Sequence, residues 1–185
     1  MAGKKVVIVI SGEPGAGSTT IAKEVAKRLN LDFFSPGLLL KGLSGKKEES
    51  KAALATLKTE KGSSKEYHNE LDRRQVEAAR KGNVVITGKL GIHFTKEFAD
   101  LCVWLDVSPE VRARRTAGRD GITEEEALKS ISEREEIDRK AFLRIYGFDY
   151  KGQKDEADLA LDTSRLTINQ AVDTVLSAFR QKNRS

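Results

Sequence analysis

Apolar and polar positions along the chain fall into two alternating periods. Val6–Ile10 is an unbroken β-branched run that ends in Gly and Pro, the pattern of a parallel strand buried on both faces. The period then becomes helical: Ile21, Val25 and Leu29 share a face with Ala22 and Ala26, while Lys23, Lys27 and Arg28 turn to water. Asp32–Ser35 predicts a second strand, broken at Ser35-Pro36-Gly37, and Val84–Thr87, Leu101–Val107 and Leu159–Asp162 predict three more.

Capping signals place the helices between them. Ser63 to Glu66 has capping-box spacing and predicts a helix to Lys81, stopped by Gly82-Asn83. Ser108-Pro109 opens another, which Arg119-Asp120-Gly121 interrupts. A box at Thr123 and Glu126 opens a long helix to Tyr146-Gly147. A third, at Thr167 and Gln170, opens the last helix, with the stripe Ile168, Ala171, Val172, Val175, Leu176 and Phe179. Leu38–Lys41 starts a helix, Gly42–Ser50 reads as a mobile basic loop, and 51–60 is weakly helical. Five strands alternating with helices predict an α/β domain spanning 1–185, with a parallel sheet joined by right-handed crossovers. No internal repeat or linker divides it.

Composition sharpens this picture. Of 185 residues, 38% are hydrophobic, enough for a sheet covered on both faces. Lys and Arg exceed Asp and Glu by 33 to 28, a net charge of +5 that favours anionic partners. The basic residues are interspersed, apart from Gly42–Lys51 and Arg112–Arg119, so nucleotide phosphates fit better than nucleic acid. Cys102, the only cysteine, lies in the apolar run Leu101–Leu105; it is expected to be buried, in a reducing compartment. Val6–Ile10 is too short for a secretory signal and no run is long enough for a bilayer, so a soluble, cytoplasmic protein without a membrane partner is expected. A monomer is the expectation for its assembly, which no feature of the sequence decides.

The chemistry concentrates at Gly12-Glu13-Pro14-Gly15-Ala16-Gly17-Ser18-Thr19-Thr20, between the first strand and the first helix. The segment fits G-x-x-x-x-G-K-[ST] at every fixed position except the lysine, which here is Ser18. Its glycines let consecutive N–H groups turn inward on phosphate oxygens, and the helix end adds its positive pole. Thr19 is the hydroxyl expected to hold Mg²⁺ beside ATP. Serine at 18 offers a neutral hydrogen bond where lysine would bring charge, and a lost transition-state donor costs roughly 10²–10³ in rate. Arg112, Arg114, Arg115 and Arg119 cluster before Gly121 and are the cations available to compensate. They also fit a solvated helix face.

Further segments carry a resemblance. Ser35-Pro36-Gly37, Leu71-Asp72-Arg73-Arg74-Gln75, Gly82-Asn83-Val84-Val85 with Gly88-Lys89-Leu90, Ile131-Ser132-Glu133-Arg134-Glu135, Tyr146-Gly147-Phe148-Asp149 and Asp162-Thr163-Ser164 resemble, in order, motifs of the cytidylate kinases. The archaeal type is the most similar, and the likeness runs over essentially the whole chain. It implies a P-loop NTPase-type three-layer sandwich with a five-stranded parallel sheet, a helical acceptor-binding region at about 37–81 and a short lid at about 112–146. It implies transfer of the ATP γ-phosphoryl group to CMP or dCMP. Lys41, Arg74, Gln75, Lys89, Arg134 and Asp138 would bind the acceptor; Thr19, Arg112, Arg115 and Arg119 would serve the transferring phosphoryl. Lysine stands at 41 and 89, and alanine at 141, where the family has arginine; Arg139, Lys140 or Arg144 would stand in at the last. The archaeal branch tolerates a hydroxyl residue at the P-loop lysine. UMP or AMP remain alternative acceptors, and a poorly catalytic nucleotide-binding scaffold associated with RNA is the alternative of another class.

Other residues read more plainly. His68 and His93 have no second ligand at metal spacing and fit packing or surface roles. Trp104 fits the core. Asp72 either orients Arg74 or lies on the helix surface, and Asp106 suits a strand-end turn as well as a metal. Arg134 and Asp138, four apart, also fit an ordinary surface ion pair.

Overall fold

The first strand, β1 (Val7–Gly12), is central in the computed structural model, which describes residues 5–38, 58–59 and 64–184. α1 (Ser18–Leu29) leads to β2 (Asp32–Phe34), and α2 (Lys65–Lys81) leads to β3 (Val84–Thr87). α3 (Gly91–Thr95) and a 3₁₀ turn at Lys96–Phe98 precede β4 (Leu101–Asp106). α4 (Pro109–Asp120) and α5 (Glu124–Tyr146) then form a helical hairpin. A second 3₁₀ turn at Tyr150–Gly152 and the short α6 (Gln153–Glu156) lead to β5 (Leu159–Asp162), and α7 (Ile168–Lys182) follows.

The strands pair in the order β2-β3-β1-β4-β5, all in parallel, with Val9 opposite Ile86 on one side and Cys102 on the other. This is the expected α/β sheet. β1 is buried throughout, and β-branched from Val7 to Ile10, because both of its faces are covered. Ile8 and Ile10 pack with Val25 of α1 and Val172 and Val175 of α7. Val7 and Val9 pack with Ala79 of α2, Ile92 of α3 and Phe142 of α5. Cys102 and Trp104 lie in this second layer; burial, aided by Asp158, pushes the Cys102 thiol up to about 12. The α4–α5 hairpin has its own small core of Ala113, Ala117, Ala127 and Ile131.

The caps explain most helix boundaries. Ser108 caps α4 with proline in the first turn, and Thr123–Glu126 and Thr167–Gln170 make both bonds of a capping box. Two expectations change. The α2 cap is Ser64, whose hydroxyl accepts from the Tyr67 amide at 3.2 Å; residue 67 is not acidic, so no box forms. Ile168 is 53% exposed, because it stands one turn before the helix reaches the sheet. The expectations for Lys41, Gly42–Ser50, Ser63 and most of 51–60 lie outside the described residues.

His68 and His93 are packing residues, edge-on to Phe142 and stacked on Phe148 respectively. Among the described residues no helix is long and apolar enough to cross a membrane. From β1 the chain builds one side of the sheet through β2 and β3, then crosses to the other through β4 and β5. Parallel sheets of this kind bind ligands beyond the carboxyl ends of the strands at such a reversal.

Candidate functional site

A cleft of about 1000 Å³ opens at the carboxyl ends of β1 and β3. Gly12, Glu13, Pro14, Gly15, Ala16, Gly17, Ser18, Thr19 and Thr20 all line it. Gly15 has φ +84°, and a Cβ there would stand 3.1 Å from Arg112 Cβ and 3.0 Å from Thr116 Oγ1. The loop therefore lies directly on α4, and position 15 must be glycine for it to do so. No side chain caps α1 at Gly17, so the amides of its first turn face the cleft with the positive end of the helix.

The arginines after Ser108 separate into different tasks. Arg112 is buried behind the loop: its Nε donates to Val107 O at 3.2 Å, and its Nη1 to Pro14 O at 3.0 Å and to Glu135. Glu13 stands 3.6 Å from its Nη2. Arg112 does not line the cleft, and these contacts hold it against the back of the loop rather than over the phosphoryl position expected from the sequence. Arg115 lines the cleft and ties Ala16 O at 3.1 Å to Thr163, whose hydroxyl and carbonyl oxygens accept at 3.0 and 2.6 Å. Arg119 also lines it, oriented by Asp120 at 2.6 Å. Arg114 is exposed near Glu124 on the solvated face.

At the opposite end, Lys89, Arg134 and Asp138 converge, drawn from the loop after β3 and from α5. Asp138 is buried, pairs with Lys89, and lies 3.9 Å from Arg134 Nε, so this is no surface ion pair. Burial and then Arg134 push the Lys89 ammonium well below its ordinary value, which the Glu135 carboxylate opposes. Gln75 lines the same end, whereas its neighbour Arg74 points away from the cleft and pairs with Glu70 at 2.7 Å. Asp72 does not orient Arg74. It is buried, accepts from Tyr146 Oη and from Gln75 Nε2, and lines the cleft. Burial raises its carboxyl to about 6 against the pull of those two hydrogen bonds.

Tyr67, His68, Asp72, Thr87 and Phe142 join this end of the cleft without having been expected there. The missed signal is the spacing 68, 72, 75, 79: these residues form the buried face of α2 although three of them are polar. Arg139 and Lys140 pair outward with Asp149 and Glu136, Arg144 is exposed, and none of the three lines the cleft near Ala141. Asp106 is held by Lys154 at 2.7 Å, away from the cleft. No group of three His, Cys, Asp or Glu side chains among the described residues is arranged to hold a metal.

The model of the cytidylate kinase-like family matches residues 7–165, which span the phosphate loop, α2, the Lys89 loop and α5. The chain belongs to that family. Cytidylate kinase of Pyrobaculum arsenaticum is 42% identical over 169 residues, covering 90% of this chain and 89% of the relative. Cytidylate kinase of Pyrococcus horikoshii is 40% identical over 161 residues, covering 87% and 81%. As a member of this family of phosphotransferases the chain is an enzyme. Its fold is also that of other small kinases. Shikimate kinase from Bacteroides thetaiotaomicron superposes with a TM-score of 0.61 at 22% identity, covering 96% of this chain and 99% of that one. A gluconokinase from Sinorhizobium meliloti superposes with a TM-score of 0.60 at 15% identity, covering 96% and 93%.

Proposed function

We propose that the enzyme transfers the γ-phosphoryl group of ATP to CMP or dCMP, giving ADP and CDP or dCDP. The observation that carries this is a single cleft with a phosphate loop at one end and the Lys89–Asp138–Arg134 cluster at the other. An acceptor phosphate oxygen attacks the γ-phosphorus in line; the bond to the β,γ-bridging oxygen breaks, and ADP leaves with its electron pair. The protein's part is alignment and charge neutralisation.

On this reading the amides of residues 12–20 cradle the donor phosphates, and Ser18 adds a hydrogen bond. Arg115 and Arg119 supply positive charge beside the loop, and Arg112 keeps the loop in shape from behind. Lys89 and Arg134 grip the acceptor phosphate, with Asp138 fixing both. Mg²⁺ suits the donor end: Thr19 offers one hydroxyl, and magnesium otherwise prefers phosphate oxygens and water. The ion would balance charge on the transferring group. Residues 37–81 serve as the acceptor-binding region and 112–146 as the lid, within one kinase domain whose partners are small-molecule nucleotides.

The test is acceptor-dependent ADP release, measured in turn with CMP, dCMP, UMP and AMP. Release with CMP or dCMP well above the others is expected. ATP binding without release in the presence of any acceptor would overturn the proposal.

A further inference from the structure

The face of α2 that lines the cleft carries buried polar tips with no hydrogen-bond partner among the described residues: Tyr67 Oη, His68 Nε2 and Gln75 Oε1. Buried polar atoms in folded proteins are nearly always paired, so three on one helical face mark a surface built for a polar ligand. Gln75 is the most constrained of them. It is 3% exposed, and a Cβ on Gly88 would stand 2.6 Å from its Oε1. Glycine at 88 is what lets that oxygen lie so close to the loop after β3.

The direction of the Gln75 amide follows from its neighbours. Tyr146 on α5 donates its hydroxyl proton to Asp72 Oδ2. Asp72 Oδ1 accepts from Gln75 Nε2 at 3.1 Å. An ionised carboxylate can only accept, so the NH₂ end of the amide must face Asp72 and the oxygen must face away from it. Gln75 is thus held as a hydrogen-bond acceptor at a fixed place.

We propose that Gln75, with its amide locked by Asp72 and Tyr146, accepts a hydrogen bond from the 4-amino group of the acceptor base and so separates cytosine from uracil. The inference rests on the proposed function, in that the acceptor is a pyrimidine nucleotide. Cytosine places an N–H donor against Gln75 Oε1. Uracil places its 4-oxo group there, leaving two acceptors face to face away from water. A site built around one hydrogen bond rejects the analogue that cannot make it far more strongly than an apolar pocket rejects a change of size. Gln75 is a specificity-determining residue; Asp72 and Tyr146 are positioning residues behind it.

The experiment is the ratio of kcat/KM for CMP to that for UMP in the wild-type protein and in Asp72→Asn and Gln75→Leu. Wild type is expected to favour CMP by about 10²-fold or more. In Asp72→Asn, the side-chain oxygen stays with the Tyr146 hydroxyl and the new NH₂ faces Gln75. The Gln75 amide then turns to present its own NH₂ to the base. The ratio is expected to fall at least about tenfold, with an absolute rise in UMP turnover that simple damage would not produce. Gln75→Leu is expected to lower the ratio by loss of CMP turnover alone. A ratio is independent of the folded fraction, and the leucine variant gives a separate test if the asparagine variant folds poorly. Wild type that prefers CMP while both variants keep the ratio within about threefold would overturn the role of Gln75 and leave the proposed function standing. Wild type that phosphorylates neither nucleotide would overturn the proposed function itself.

Discussion

The two ends of the cleft are built by different means. The donor end is one continuous stretch, residues 12–20, whose working groups are backbone amides; side chains such as Arg112 and Arg115 brace it through its carbonyl oxygens. The acceptor end has no such stretch. Its groups are side chains from α2, the loop after β3 and α5, and they meet only once the sheet and helices have packed. Backbone amides recognise any phosphate chain, whereas side chains fixed by one another can tell one base from another. On the proposed function, generality is local in this molecule and discrimination is long-range.

Substitutions can break or sharpen that contrast. The largest effect is expected from Arg112→Ala. It takes the buried guanidinium away from the half-buried carboxylates of Glu13 and Glu135, which keep only Lys151 as a cation, and breaking a buried pair costs up to about 3–5 kcal/mol. Denaturant unfolding should show that loss, whereas Arg119→Ala should keep wild-type stability and lower kcat. If Arg112→Ala unfolds like wild type, Arg112 does not brace the donor end. Lys89→Met comes next. It is expected to lower kcat/KM for the acceptor roughly 10²–10³-fold while the KM for ATP changes little, as steady-state kinetics would show. An equal loss for ATP would mean that the ends are not separate.

The third effect is one of pH. Asp72 titrates near 6 in the folded protein against an ordinary 3.8, so the fold favours its protonated form. That contribution is fully present below about pH 4 and is lost as pH rises through 6, a linkage of about 3 kcal/mol. Thermal unfolding should therefore show Asp72→Asn gaining stability over wild type from pH 4 to pH 8; a gap that does not change with pH would refute it. The smallest effect is expected from Arg74→Ala, whose side chain is half exposed in a surface pair with Glu70. Stability should stay within about 0.5 kcal/mol and acceptor kinetics should be unchanged. A marked rise in acceptor KM would restore Arg74 to the acceptor site.

The same division governs what could be read from the chain. The phosphate loop, β3, β5 and the two capping boxes were legible because each is set by neighbours in sequence. Arg112 was legible as a cation but not as a brace, because its partners Pro14 and Glu135 are distant in sequence and the motifs that hold them do not point to Arg112. The resemblance implies an acceptor role for Arg74, yet helical phase turns 68, 72 and 75 inward and leaves 74 outside. The α2 cap falls one residue past Ser63, the serine with Glu66 three positions on, because the adjacent Ser64 offers the same hydroxyl and the geometry of the first turn selects it. Ile168 fits the apolar stripe of α7, but the sheet ends before reaching it.

The placement of Arg134 and Glu135 on α5 has a consequence for how the protein can vary. Successive helical residues diverge by about 100°, so one of these neighbours faces the acceptor cluster and the other reaches Arg112 behind the phosphate loop. The helix thus works as an angular key that must engage two locks in one phase. Inserting or deleting a single residue between Ile131 and Arg134, inside the helix, would swing both side chains off their targets together, however good the remaining core. Residues at the tip of the α4–α5 hairpin can change length freely, while the stretch from Ile131 to Asp138 has to keep its count.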